Sequence, residues 1–360
     1  MNHKTPKLLL HGPDTVQCCY YLAPRGNDSL DFAKLQAERD RLRMTGTNES
    51  EPIVLGGRQF LLAPRGSSSG YPFVISDADY RIEFGRYNNP PFFVTFRSVA
   101  LWRSSMRALH ENFLHWAHSV GYEPVKPESM TRVDYCFDYA LDVVDFDENS
   151  VVTFSSKDAQ HRENGRIQTL SFGKGDVVLR IYDKVAEIEQ QSGKVWFYDL
   201  WGQQENVWRI EWQARKEVLR RFGIRTFADL HARYKPLLEF LAQEHDTLRV
   251  PSDDSNRSRW PLHPLWSDLQ RHIAQMEAIG EPNGADPTVV LEYRLMQIGI
   301  SVYGYLKRVG AIRCVQTDKD SIPVEDALQL LEKLVRRTHN RLTWAVDVEK
   351  RITEIRLGDW

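Results

Sequence analysis

Long hydrophobic runs are missing from this 360-residue chain. No stretch approaches the ~18 uncharged apolar residues that a membrane span needs. Leu8-Leu9-Leu10 is too short for the core of a secretory signal, so no membrane partner is expected. Cysteine is scarce: Cys18, Cys19, Cys136 and Cys314 are the whole set. They form no CxxC pair and no secreted framework, which points to a reducing, cytoplasmic setting. An excess of one charge is also absent, with 47 Lys and Arg against 49 Asp and Glu. Such a balance argues against nonspecific nucleic-acid binding by overall charge, so any DNA contact must come from local patches. Several catalytic signatures fail as well. Gly173-Lys174-Gly175 lacks the G-x-x-x-x-G-K-[ST] spacing, reads as a tight turn and implies no ATPase. His110-Glu111 is followed by a histidine five residues after His110, not four, so the H-E-x-x-H zinc motif is excluded.

What is present suits a globular protein: 42% apolar and 27% charged residues, with ten tryptophans in an 11% aromatic content. Such aromatics serve a packed core and could also stack on unpaired bases. Before Gly121 the pattern reads as strands with two helices. Asp31–Arg43 is helix-prone with Leu35 and Leu42 inward. Extended stretches follow at Ile53–Leu62, Tyr71–Ile75, Tyr80–Phe84 and Phe92–Phe96, separated by Gly, Asn and Pro turns. Ser98 is read as the cap of one helix carrying Trp102, Met106, Leu109, Phe113, Trp116 and Val120 on a single face, with Gly121 as its stop. Beyond Arg225 the signal is helical over 226–245, 266–279, 286–309 and 323–346. Pro251-Ser-Asp-Asp-Ser-Asn256 is the most linker-like stretch, so a boundary is expected there, dividing the chain into 1–250 and a helical 260–360.

Three segments between these regions alternate. Val133, Tyr135, Phe137 and Tyr139 share one face, and Arg132, Asp134, Cys136 and Asp138 the other. A hairpin of Thr169–Phe172 and Val177–Lys184 sets Leu179 and Ile181 against Arg180, Tyr182 and Lys184. Over Val207–Arg215, Trp208, Ile210, Trp212 and Ala214 oppose Arg209, Glu211, Gln213 and Arg215. One such strand usually just wets its polar face. Three that could lie side by side would gather carboxylates that repel unless a cation intervenes, and hard oxygen ligands favour Mg²⁺ or Mn²⁺. A tyrosine with a pKa near 10 is a poor nucleophile until its phenolate is stabilised, and Arg180 and Lys184 flank Tyr182. The expected fold is therefore α+β: an antiparallel sheet with helices packed on one face, followed by a smaller helical C-terminal part.

The set Arg132-Val-Asp134, Arg180-Ile-Tyr182-Asp-Lys184 and Arg209-Ile-Glu211 resembles the replication initiation factor (Rep_trans-type) family. These are rolling-circle replication initiators of plasmids and filamentous phages, with related relaxases. Asp14-Thr15-Val16 and Phe96-Arg97-Ser98 with Leu101-Trp102 look like this family too, so the resemblance runs to about Gly223. It implies that Tyr182 nicks one strand of origin DNA, leaving a phosphotyrosine link and a 3′-hydroxyl primer, with Lys184 and Arg180 assisting. It implies Asp134 and Glu211 as ligands of the divalent cation, with Asp138 as a third. No His-x-His pair of the histidine-based rolling-circle nucleases is present. Arg132, Arg209, Arg215, Lys216, Arg220 and Arg221 form the expected phosphate-tracking set, and a host helicase is the implied further partner. On this reading 1–250 is the nicking domain and 260–360 serves DNA recognition or self-association as a homodimer. The rivals are a conjugative relaxase of the same chemistry and a noncatalytic DNA-binding regulator.

Overall fold

The computed structural model describes residues 6–26, 30–44, 46, 48–163, 166–280, 284–286 and 288–359. The chain divides into two compact units, Met1–Asp286 and Pro287–Trp360. The linker-like Pro251–Asn256 stretch lies inside the first.

In the first unit the elements run β1 (Lys7–Pro24), α1 (Phe32–Met44), β2 (Glu51–Leu55), β3 (Arg58–Leu62), β4 (Phe73–Ser76), β5 (Tyr80–Phe84) and β6 (Phe92–Phe96). Then come α2 (Ser98–Arg103), α3 (Met106–Ser119), β7 (Tyr122–Ala140), β8 (Val151–Thr153), β9 (Asp158–Glu163), β10 (Arg166–Phe172) and β11 (Val177–Asp183). The unit closes with α4 (Lys184–Glu187), α5 (Trp196–Trp201), β12 (Val207–Arg215), α6 (Lys216–Arg221), α7 (Phe227–Phe240), β13 (Asp246–Leu248) and α8 (Pro264–Gln275). Eleven strands form one antiparallel sheet in the order β2-β3-β4-β5-β6-β1-β7-β12-β11-β10-β9. The long β1 and β7 pair through its middle from Lys7↔Ala140 to Pro24↔Tyr122.

Aromatic side chains at alternate strand positions give the sheet one face that must leave water, and the longer helices cover it. Phe113 of α3 packs on Tyr20 with ring centres 4.3 Å apart, and Trp266 of α8 meets Trp212 edge-on at 5.5 Å. Their polar edges are satisfied: the Trp212 indole donates to Asp246 at 2.8 Å and the Trp266 indole to the Ala242 carbonyl at 2.7 Å. Short helices α2 and α5 lie against part of the other face, where Trp102 and Trp201 donate to Asp14 and Asp138.

Three expectations about element boundaries are corrected. The helix expected from Ser98 is two helices, because Ser105 accepts from the Ala108 amide and starts α3 afresh. Ser98 instead donates its hydroxyl to Asp14 at 2.8 Å. The stretch Ile53–Leu62 is a hairpin turned by Gly56 and Gly57, both at positive φ (59° and 77°), where a β-carbon would be strained. The C-terminal segment expected over 323–346 breaks at His339.

The second unit holds α9 (Val289–Thr317), α10 (Val324–Thr338) and α11 (Trp344–Arg356). No described helix is long and apolar enough to cross a membrane.

Candidate active site

Strand register decides which polar side chains meet. Asp138 of β7 stands opposite Arg209 of β12, and Arg209 opposite Tyr182 of β11. In the next row, Cys136 faces Glu211, and Glu211 faces Arg180. Cross-strand neighbours on one face lie ~5 Å apart, so these rows become contacts. The Tyr182 hydroxyl donates to Glu211 Oε2 at 2.8 Å, and Arg180 reaches Glu211 Oε1 at 3.0 Å. Arg132 binds both oxygens of Asp134, its Nε at 2.7 Å.

Asp14 enters from β1. Pro13 pairs with Tyr135 and Thr15 with Asp134, so Asp14 is the extra residue of a β-bulge, a device that re-aims a side chain. Its carboxylate accepts from Ser98, from the Trp102 indole at 3.0 Å and from Arg209 at 3.1 Å, with Lys194 at 3.2 Å. Gly12 permits this approach, since a β-carbon there would sit 3.0 Å from the Trp102 ring.

Expected site residues thus fall into two layers. Arg209 is fully buried: Nε and Nη2 bind Asp138 at 2.6 and 2.8 Å, Nη1 binds Asp14, and the guanidinium lies 4.5 Å from the Phe197 ring centre. Expected as a phosphate contact, it meets no solvent and instead ties β1, β7 and β12 together. Asp138 is equally buried, its second oxygen also held by Trp201 at 2.9 Å, so ligating a metal would require breaking that pair. Lys184 is buried beside Glu187 and 5.6 Å from the Tyr182 ring centre. In the outer layer the Arg132 and Arg180 side chains are 27% and 34% exposed, while the acids they hold, Asp134 and Glu211, are buried. Arg215, Arg220 and Arg221 are exposed and Lys216 half-buried beyond the Arg132 end of the same strands.

Burial sets the electrostatics. It pushes Tyr182 well above its ordinary value, and the charge of Glu211 adds to this, so the phenol is protonated. Burial lowers Lys184, with Arg209 and Lys194 repelling it further. Burial would raise Asp14, yet Lys194, Arg209 and Lys184 outweigh it and hold it well below the carboxylate range. Burial raises Asp134 to about 6; the Arg132 hydrogen bond opposes this, while the charges of Glu211 and Asp14 add to it.

Asp134 makes a pH prediction. Its folded pKa lies above its unfolded one, so the native state holds the proton more tightly and ionisation costs stability. Stability in EDTA is expected to fall as pH rises from 4 through about 6, by roughly 3 kcal/mol at ~1.36 kcal/mol per unit. Asp134→Asn should unfold at higher urea than wild type at pH 8 and show no such gain near pH 4. A gain that is equal at both pH values would contradict the account.

Among the described residues no group of three or more His, Cys, Asp or Glu side chains forms a metal cage. Arg132 holds both oxygens of Asp134, and Arg180 and Tyr182 hold those of Glu211, so a cation at these two acids would have to take the place of those partners. Sequence reading missed the roles of Asp14, Lys194 and Trp201. A charged residue inside the apolar β1 was the available signal for Asp14; nothing local marks the other two.

No protein-family model matches the chain, and no curated protein matches it. Among solved structures, the rolling-circle replication initiator protein from Geobacillus stearothermophilus is similar over 75% of this chain and 96% of that one. The pair share 17% sequence identity, with a TM-score of 0.41.

Proposed function

We propose that this protein nicks one strand of DNA at a replication origin by tyrosine transesterification, with Tyr182 as the nucleophile. The observation that carries the reading is the Tyr182–Glu211 hydrogen bond of 2.8 Å beside the partly exposed Arg180 and Arg132. Glu211 Oε2 takes the phenolic proton as Tyr182 Oη attacks the phosphorus. The bond from phosphorus to the 3′ oxygen breaks, the 3′ oxygen leaves as a hydroxyl on gaining a proton, and the 5′ phosphate stays on Tyr182. Arg180 can exchange its carboxylate partner for the scissile phosphate, because it is open to solvent. Mg²⁺ or Mn²⁺ held by Asp134 and Glu211 would polarise a phosphate oxygen and offset the charge that develops on it. Arg132, Arg215, Lys216, Arg220 and Arg221 would follow the DNA backbone, as a salt-dependent contact. A host helicase would unwind the duplex from the nick.

Burial of Tyr182, only 8% exposed, favours a second reading, a noncatalytic DNA-binding regulator. Incubation with supercoiled plasmid carrying the DNA that flanks the gene, with Mg²⁺ or Mn²⁺, separates the two. Nicked circles with protein fixed to the 5′ end are the expected result. DNA bound but never covalently joined, with either metal, would favour the regulator.

A further inference from the structure

We infer that a groove at the rim of the first unit takes an unpaired nucleotide of single-stranded DNA, its base stacked on Phe154 and its phosphates held by Lys157, Lys174 and Arg221. The groove, a cavity of about 680 Å³, forms where the segment between β8 and β9, the turn between β10 and β11, α6 and the end of α7 come together. That volume falls within the ~300–1,000 Å³ of small-ligand sites and admits a nucleotide.

Phe154 is 75% exposed, although a ring of that size usually leaves water. It is nonetheless held in place: its amide donates to the His245 carbonyl at 3.0 Å, and its ring stands edge-on to the His245 imidazole at 6.0 Å. That imidazole is fixed in turn, with Nδ1 3.0 Å from the buried Asp246 carboxylate and Phe240 edge-on at 5.9 Å. A fixed, exposed ring is a platform for a base whose own face is uncovered, which a base inside a duplex does not offer. Cations surround the platform. The Gly173 amide donates to the Lys157 carbonyl at 2.7 Å, which sets the Gly173-Lys174-Gly175 turn beside Lys157. Arg221 of α6 lies 4.6 Å from the Phe240 ring centre. Among the described residues none of these three exposed cations has an ion-pair partner, so each is open to a phosphate. Asp176 and Glu217 share the groove, where a carboxylate can accept from the amino group of cytosine. Val177, on the wall, precedes Arg180 by three residues of β11, about 10 Å along the strand and on the other face of the sheet. The choice of DNA as the strand rests on the function proposed above, in which DNA unpaired at the nick lies one turn of the rim away.

Fluorescence anisotropy of the full chain is the test, with a labelled cytosine-rich DNA strand, its duplex and its RNA counterpart, in EDTA so that no nicking intervenes. Wild type is expected to bind the DNA strand more tightly than the duplex. Phe154→Ala, at a position too exposed to disturb the fold, should weaken the strand about tenfold and leave the duplex unchanged, with Phe154→Trp restoring binding. Lys157→Ala/Lys174→Ala should weaken the strand as well and lower its salt slope by roughly one. Tyr87→Ala removes an even more exposed aromatic from outside the groove and should change nothing. A wild type that does not prefer the single strand, a Phe154→Ala protein that binds it as well as wild type, equal weakening by Tyr87→Ala, or tighter binding of the RNA would each overturn the assignment. Failure of the nicking reading shows separately: a wild type that passes these measurements yet never joins DNA covalently loses the nucleophile and keeps the groove.

Discussion

Tyr182→Phe is expected to lose covalent DNA adduct formation by more than about a thousandfold, because it removes the oxygen that attacks in the proposed reaction and leaves every other group in place. Phenylalanine keeps the ring that lies near Lys184 and packs at the strand pairing opposite Arg209. Only the hydrogen bond to Glu211 disappears, and Glu211 retains Arg180, so the stability cost should be about 1 kcal/mol. Urea unfolding with nearly unchanged stability, together with absent adduct, is the expected pair of results. The raised pKa of Tyr182 makes the proton acceptor as important as the nucleophile: Glu211→Gln cannot take a full proton and should slow adduct formation while DNA binding persists. A Tyr182→Phe protein that still joins DNA covalently would move the chemistry to another residue.

Arg209→Met should be the most destabilising single change in the site, by about 3–5 kcal/mol, since it strands a fully buried carboxylate. Asp138 would lose two hydrogen bonds of 2.6 and 2.8 Å and keep only the Trp201 indole. Asp14 would lose one partner and retain Lys194, Trp102 and Ser98. Removing both charges, in Arg209→Met/Asp138→Leu, should recover much of the loss, because the penalty belongs to the unpaired charge rather than to the missing bridge. Urea denaturation of the three proteins measures it. A single-variant loss below about 1 kcal/mol would mean that water reaches Asp138 and that the pair is not structural.

Alternation alone anticipated the polar faces of the three strands. A period of two puts Arg132 with Asp134, Arg180 with Tyr182, and Arg209 with Glu211, each pair on one face of its own strand, and the register between strands decides which of them meet. The antiparallel sheet with helices and the helical C-terminal part follow from the same patterns. Less visible was the fate of those faces. The inner part of the polar side, around Arg209, Asp138 and Asp14, is a buried lattice of ion pairs, because α2 and α5 bring tryptophans over it, and nothing in a single strand announces a cover contributed from far along the chain. The break at Ser104 was hidden for a different reason: the four-three spacing continues across it, and only the capping of Ala108 by Ser105 shows that a new helix begins.

By itself, the sequence determined the periods: which residues share a strand face and where glycines turn the chain. Tertiary structure decided the partners. Asp14 meets Arg209 across 195 positions through a bulge in one strand and the register of two others. Local propensity acts over a few residues, whereas strand pairing and the desolvation of charge depend on the whole sheet. Which arginine faces water and which is locked inside therefore became decidable only once the strands had found their neighbours.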